Sequence, residues 1–127
     1  VGGHGPYGDL NQHVYVYAAP GGQLVEKIKA GSMPIALYRD KLGNQMLSVS
    51  HGSNELHVID CDALQVKRSI ATGENPYYVT GDKDHIYVTT LDGEQLMVFD
   101  RKTLAVKQVY ALRAGPYGIL LGGNWDE

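Results

Sequence analysis

The residues with chemistry to offer are five histidines, one cysteine and a scatter of hydroxyls and carboxylates. His4, His13, His51, His57 and His85 are the obvious metal-ligand types. Helical sites pair histidines four residues apart, and strand sites pair them two apart. None of the five has either spacing. Cys61 is the sole cysteine, so an intramolecular disulfide and a CxxC metal or haem motif are both excluded. No GxSxG elbow is present, and Ser48, Ser50, His51 and Asp92 lack the spacing of a nucleophilic triad. Asp82 and Asp84 read as solvated turn residues. Gly2-Gly3-His4-Gly5 is glycine-rich but opens no helix, so it is no phosphate cradle. No catalytic residue, metal set or cofactor is therefore assigned, and the reading leans away from an enzyme.

Any site must instead come from how the elements are arranged. The chain has 127 residues, 43% hydrophobic and 20% charged, enough for a real core. A net charge of −3 gives no basic footprint for nucleic acid. No apolar run reaches the roughly 20 residues of a membrane-spanning helix. Sixteen Gly and nine Tyr, with many Val, Ile and Thr, favour strands and tight turns.

The dominant signal is internal repetition. Leu56 to Val79 falls on Leu96 to Ile119 without a gap, pairing Val58 with Val98, Asp60 with Asp100 and Pro76 with Pro116. A third copy, His13 to Leu37, follows the plan with a one-residue adjustment. It sets His13 on Leu56 and Leu96, and His57 on Val14 and Met97, so both histidines read as packed strand residues. Pro34, Pro76 and Pro116 recur at nearly equal intervals and mark corresponding positions. Each period holds four strand signals: Leu56–Asp60, Gln65–Ala71, a strand near Tyr77–Thr80, and Ile86–Thr90, for example. Asp60 and Asp100 end strands and are expected to accept backbone N–H groups in Asx turns. Both faces of Leu96-Met97-Val98-Phe99 are apolar, as when sheets stack on both sides. Four antiparallel strands in each period of roughly 40 residues is the spacing of a β-propeller blade. The fold expected is all-β: about three propeller blades, incomplete as a single chain. Residues 1–34 form a partial first blade, 35–75 a second, 76–115 a third, and 116–127 the inner strand of a further blade.

Ile86-Tyr87-Val88-Thr89-Thr90 resembles the eponymous motif of the YVTN family of β-propeller repeats, with Thr90 where that motif has Asn. Val58-Ile59-Asp60 through Leu64-Gln65-Val66, and Val98-Phe99-Asp100 through Leu104-Ala105-Val106, are also similar to that family. So are the Gly-x-x-Pro steps Gly31–Pro34 and Gly73–Pro76; in the third copy Arg113 replaces the first Gly. The resemblance implies an exported propeller: extracellular, cell-surface or periplasmic. It implies no catalytic residue, because activities in the wider group reside in grafted loops and domains.

In a blade the innermost strand begins just after the Pro, and the loops before it gather at one mouth of the central channel. Met33, Glu74, Asn75, Tyr77, Arg113 and Tyr117 are placed there, with His51 and Asp92 from the neighbouring loop. Tyrosine, apolar in body and polar at its tip, suits contacts with a ligand or a protein. Closed propellers have four to eight blades, so three imply a fragment, an associating piece or a longer chain of which parts are omitted here. The start at Val1 and the stop at Glu127 favour the first two. The tetrapeptide GPYG occurs at 5–8 and 115–118, and both copies are expected to lead into inner strands, the second at Tyr117–Leu121. Three functions remain open. The first is a non-catalytic module that binds a ligand or protein partner. The second is the propeller portion of an enzyme, lactonase-like or redox, with a cofactor or metal at the channel mouth. The third is a structural unit that self-associates through blade faces.

Overall fold

The structure is a computed structural model that describes residues 1–122. Among the described residues, ten strands form three antiparallel sheets. The first sheet pairs β1 (His13–Tyr17) with β2 (Leu24–Lys29). The second is a meander of β3 (Pro34–Asp40), β4 (Gln45–Ser50), β5 (Glu55–Asp60) and β6 (Gln65–Ala71). The third repeats that order with β7 (Pro76–Gly81), β8 (His85–Thr90), β9 (Gln95–Asp100) and β10 (Val106–Ala111). Strands one and two of each meander start at Pro or follow a polar turn. Their β-branched and aromatic residues fit a pleated surface packed on both sides.

The sheets stack face to face. Leu47 opposes Val58 and Val49 opposes Leu56, so all four project from one face of the second sheet. Ile86 opposes Phe99 and Val88 opposes Met97 on the third. With Val79 these side chains form one buried cluster, in which Leu47, Val49, Leu56, Ile86, Val88 and Phe99 are fully buried. Each contributes about 1.5–3 kcal/mol from burial. The opposite face of the second sheet supplies Ile59, with Leu37 and Met46, to a smaller cluster against Val14 and Ile28.

Val14, not His13, therefore occupies the place of Leu56. The shift that carries Pro34 onto Pro76 also sets Val14 on Leu56 and Ile28 on Ile70, without the one-residue adjustment. One residue of slip turns every side chain to the other face of a sheet. His13 is consequently half-buried and beside Tyr15, whereas His57 is packed inside as expected.

The aspartates at strand ends behave as Asx turns. Asp60 Oδ1 accepts the N–H groups of Asp62 and Ala63, both at 2.8 Å, and Asp100 Oδ1 accepts those of Lys102 and Thr103, both at 2.9 Å. Asp40 and Asp82 hold the turns after β3 and β7 in the same way. Asp82 is thus not a merely solvated carboxylate, since Tyr87 also donates its phenol to Oδ2 at 2.7 Å.

Neither GPYG leads into a strand among the described residues. Gly5 and Gly8 have φ of 79° and 87°, and Asp9 N donates to Pro6 O, so the first copy is a turn closed by Asn11 N on His4 O. Tyr117–Leu121 makes no strand pairing, and its start is tied to β8 by Thr89 Oγ1 donating to Tyr117 O at 2.6 Å. An inner strand needs a following strand to pair with, and none follows within residues 1–122. Residues 123–127, at the end of the expected inner-strand segment, lie outside the described residues.

Candidate functional site

The inner strands β3 and β7 lie side by side, and the loops before them meet the β4–β5 hairpin at one end. Met33 and Asn75, each just before the strand-opening proline, take left-handed φ values of 57° and 55°. That conformation costs a non-glycine residue about 1–2 kcal/mol, and hydrogen bonds hold it in place. His51 N donates to Met33 O at 2.9 Å, and Leu91 N to Asn75 O at 2.8 Å. The Asn75 amide donates to His51 O at 2.9 Å, while Asn54 Oδ1 accepts Asn75 N at 2.8 Å. Asn75 thereby braces His51 and does not itself face a ligand.

Above this frame sits a run of aromatic rings. His51 meets Tyr77 edge to face at 6.0 Å between centroids, and Tyr77 meets Tyr117 at 4.6 Å with a 48° tilt. His51 Nδ1 lies 3.2 Å from Pro76 O, which fixes its ring. Beneath the rings is a hollow of about 450 Å³ lined by Met33, His51, Tyr77, Tyr78, His4 and Ile35, among others. No lysine, arginine, aspartate or glutamate lines it. Such a surface stacks and desolvates, and it offers Tyr hydroxyls and imidazoles for hydrogen bonds.

Four of the eight expected residues, Met33, His51, Tyr77 and Tyr117, therefore come together, and Asn75 supports them. Glu74, Asp92 and Arg113 do not join them: all three are exposed and line no part of the hollow. Glu74 acts through its backbone, its carbonyl accepting Gly93 N at 3.0 Å. His4, Tyr78 and Ile35 escaped the sequence reading. Tyr78 and Ile35 flank expected positions, but His4 arrives from a segment held to β3 by Gly3 N donating to Pro34 O, which no local pattern signals.

The other polar grouping with the makings of chemistry, His57 with two serines, is closed to substrate. Its Nε2 contacts Gly31 N at 3.0 Å and Ser50 Oγ at 2.9 Å, and its Nδ1 contacts Ser69 Oγ at 2.9 Å. Burial depresses its pKa, only partly opposed by Glu55, so it is a neutral brace between the first two sheets. Among the described residues no group of three or more His, Cys, Asp or Glu is placed to hold a metal.

Two four-stranded antiparallel sheets with first strands β3 and β7 side by side, and a two-stranded sheet stacked on the second, define the architecture. These are β-propeller blades. The chain superposes on hydrazine synthase from Kuenenia stuttgartiensis with a TM-score of 0.76, at 17% identity, over 83% of this chain and 31% of that one. AztD from Citrobacter koseri matches with a TM-score of 0.71, at 14% identity, over 91% and 35%. Sqt1 from Saccharomyces cerevisiae matches with a TM-score of 0.73, at 13% identity, over 83% and 30%. This propeller array thus spans about a third of the length of the chains it resembles. At these identities the likeness is one of fold. No family model and no curated protein matches the chain.

Proposed function

We propose that the chain is a non-catalytic binding module of an exported, YVTN-type propeller, and that its partner docks on the aromatic mouth. The observation that carries this reading is the His51–Tyr77–Tyr117 run of rings, of which His51 and Tyr77 line the hollow with Tyr78. Tyr77 is 36% exposed and Tyr117 60%, more ring surface than a core position would leave to solvent. Exposed tyrosines clustered around an apolar hollow are the composition of interface anchors. The Ile86–Thr90 motif and the Asx-turn aspartates support the family assignment, and with it export.

The test compares the wild-type chain with Tyr77→Ala/Tyr117→Ala as bait in an extract of the source cells, alongside metal analysis and absorbance of the purified protein. A partner retained by the wild type and lost from the variant is the expected result. A partner indifferent to the variant overturns the reading, and so does co-purifying metal, haem or quinone, which favours the enzyme portion instead.

A second reading has its own observation. On the outer face of the third sheet, Leu96 stands half-buried where Leu56 is buried by the next blade, and Tyr78 and Tyr110 beside it are 38% and 51% exposed. Self-association through this face is the third function class, and sedimentation velocity of the wild type and of Tyr110→Lys tests it.

A further inference from the structure

The backbone carbonyls around the aromatic mouth are already engaged. Met33 O accepts His51 N at 2.9 Å, and Asn75 O accepts Leu91 N at 2.8 Å. His51 O accepts the Asn75 amide at 2.9 Å, and Pro76 O faces His51 Nδ1 at 3.2 Å. Pro34 O accepts Gly3 N at 2.8 Å, and Gly5 O lies 2.5 Å from His4 Nδ1. No aspartate or glutamate lines the hollow to add acceptors. The tyrosines differ: among the described residues, the hydroxyls of Tyr77, Tyr78 and Tyr117 have no hydrogen-bond partner.

That imbalance selects among neutral ligands. Every donor a ligand takes out of water must find an acceptor, or affinity is lost. An ordinary extended peptide brings one N–H per residue, and a sugar brings several hydroxyl protons. A proline-rich segment brings carbonyls and has no N–H at its prolines. The ring arrangement agrees. Tyr77 and Tyr117 lie 4.6 Å apart between centroids, and His51 meets Tyr77 edge to face. The rings therefore form a continuous ridge and leave no box between them for a cation. With no lysine or arginine in its lining, the hollow lacks the usual partners of a phosphate or carboxylate.

We propose that the mouth takes a proline-rich segment in the polyproline II conformation. Its rings pack against the Tyr77–Tyr117 ridge and into the hollow of about 450 Å³, and its carbonyls accept the free tyrosine hydroxyls. Such a segment is preformed and loses little entropy on docking, which suits a surface with few polar anchors. This identification rests on the reading of the mouth as a docking surface.

The experiment titrates the full chain with a decaproline peptide and follows backbone amide shifts by NMR. A glycine–serine peptide of equal length is the flexible control, and cellohexaose is the sugar. Saturable shifts at residues 33–36, 51–54 and 75–78 are expected with decaproline and not with the other two. Tyr77→Phe/Tyr78→Phe keeps the rings and removes two hydroxyls, and should weaken binding about tenfold, whereas Tyr15→Phe on the first sheet leaves it unchanged. Decaproline shifts that stay linear with concentration, a glycine–serine peptide or cellohexaose that binds as tightly, or a double variant that binds as well as the wild type each overturn the proposal. The wild type alone decides all but the last. A partner from cell extract that needs Tyr77 and Tyr117, with no binding of decaproline, removes this identification and leaves the docking reading standing; failure of both removes both.

Discussion

Tyr87 shows how a single hydrogen bond can be read out. Its phenol donates to Asp82, and this bond, reinforced by partial burial and the nearby carboxylates, pushes its pKa from 10 up to about 12. A group whose folded pKa is raised contributes stability that is complete below its unfolded value and vanishes as pH climbs through the folded one. The contribution is thus present below pH 10 and lost between 10 and about 12. Absorbance titration of the nine tyrosines should show one ionising last, and Tyr87→Phe should abolish that late step and flatten the alkaline fall in Tm. Asp82 works in the opposite sense. Burial would raise its pKa, but Tyr87 and the N–H groups of Asp84 and His85 together hold it below 3.8. Its contribution is present above that value and lost as pH falls further, so Asp82→Asn should remove part of the acid limb of the same curve.

Glycine and arginine at one repeat position explain a local rule of the elements. A Cβ on Gly73 would stand 2.6 Å from Gln95 Oε1 and 3.1 Å from Thr90 Cγ2, on the next blade's β8–β9 hairpin. A Cβ on Gly31 would meet Ser53 and Ser50 of the β4–β5 hairpin at 2.8 to 2.9 Å. The first Gly of Gly-x-x-Pro is therefore a spacing requirement set by the following blade. Arg113 takes that position where no further hairpin follows within the described residues, and it is exposed. Gly31→Ala, whose Cβ would stand 2.9 Å from the Cβ atoms of Ser50 and Ser53, should destabilise the chain by about 1–3 kcal/mol in urea unfolding, whereas Arg113→Gly should shift the midpoint little.

At the scale of the whole molecule, a buried ion pair joins the second and third blades. Arg101, after β9, bonds Asp40 at the end of β3 and the carbonyl of Asp82. Burial works against its charge, but hydrogen bonds with Tyr38 and Asp40 prevail and raise its pKa. Removing one partner strands the other, so Asp40→Leu should cost about 3–5 kcal/mol in urea unfolding, and Asp40→Leu/Arg101→Met should recover most of that loss. The outer face of the third sheet operates at the same scale. If it associates, sedimentation velocity of the wild type should show a concentration-dependent rise in mass, and Tyr110→Lys should suppress it. A wild type that remains a monomer at every concentration removes the self-assembly reading.

The sequence by itself determined the blade. Strand positions, Asx-turn aspartates and strand-opening prolines recur locally, and each follows from short-range backbone chemistry repeated once per blade. It also brought Met33, His51, Tyr77 and Tyr117 to one mouth, because equivalent loops of a repeat share a face. Only the tertiary structure decided which of the expected site residues meet. Glu74, Asp92 and Arg113 point to solvent, His4 arrives from a segment pinned to Pro34, and the register of β1 puts Val14 rather than His13 against the second blade. The same is true of the Asp40–Arg101 pair, whose members lie 61 residues apart. Spacing along a chain encodes the period of a strand or a turn; it does not encode which side chains converge once sheets stack, because that depends on distances across the stack.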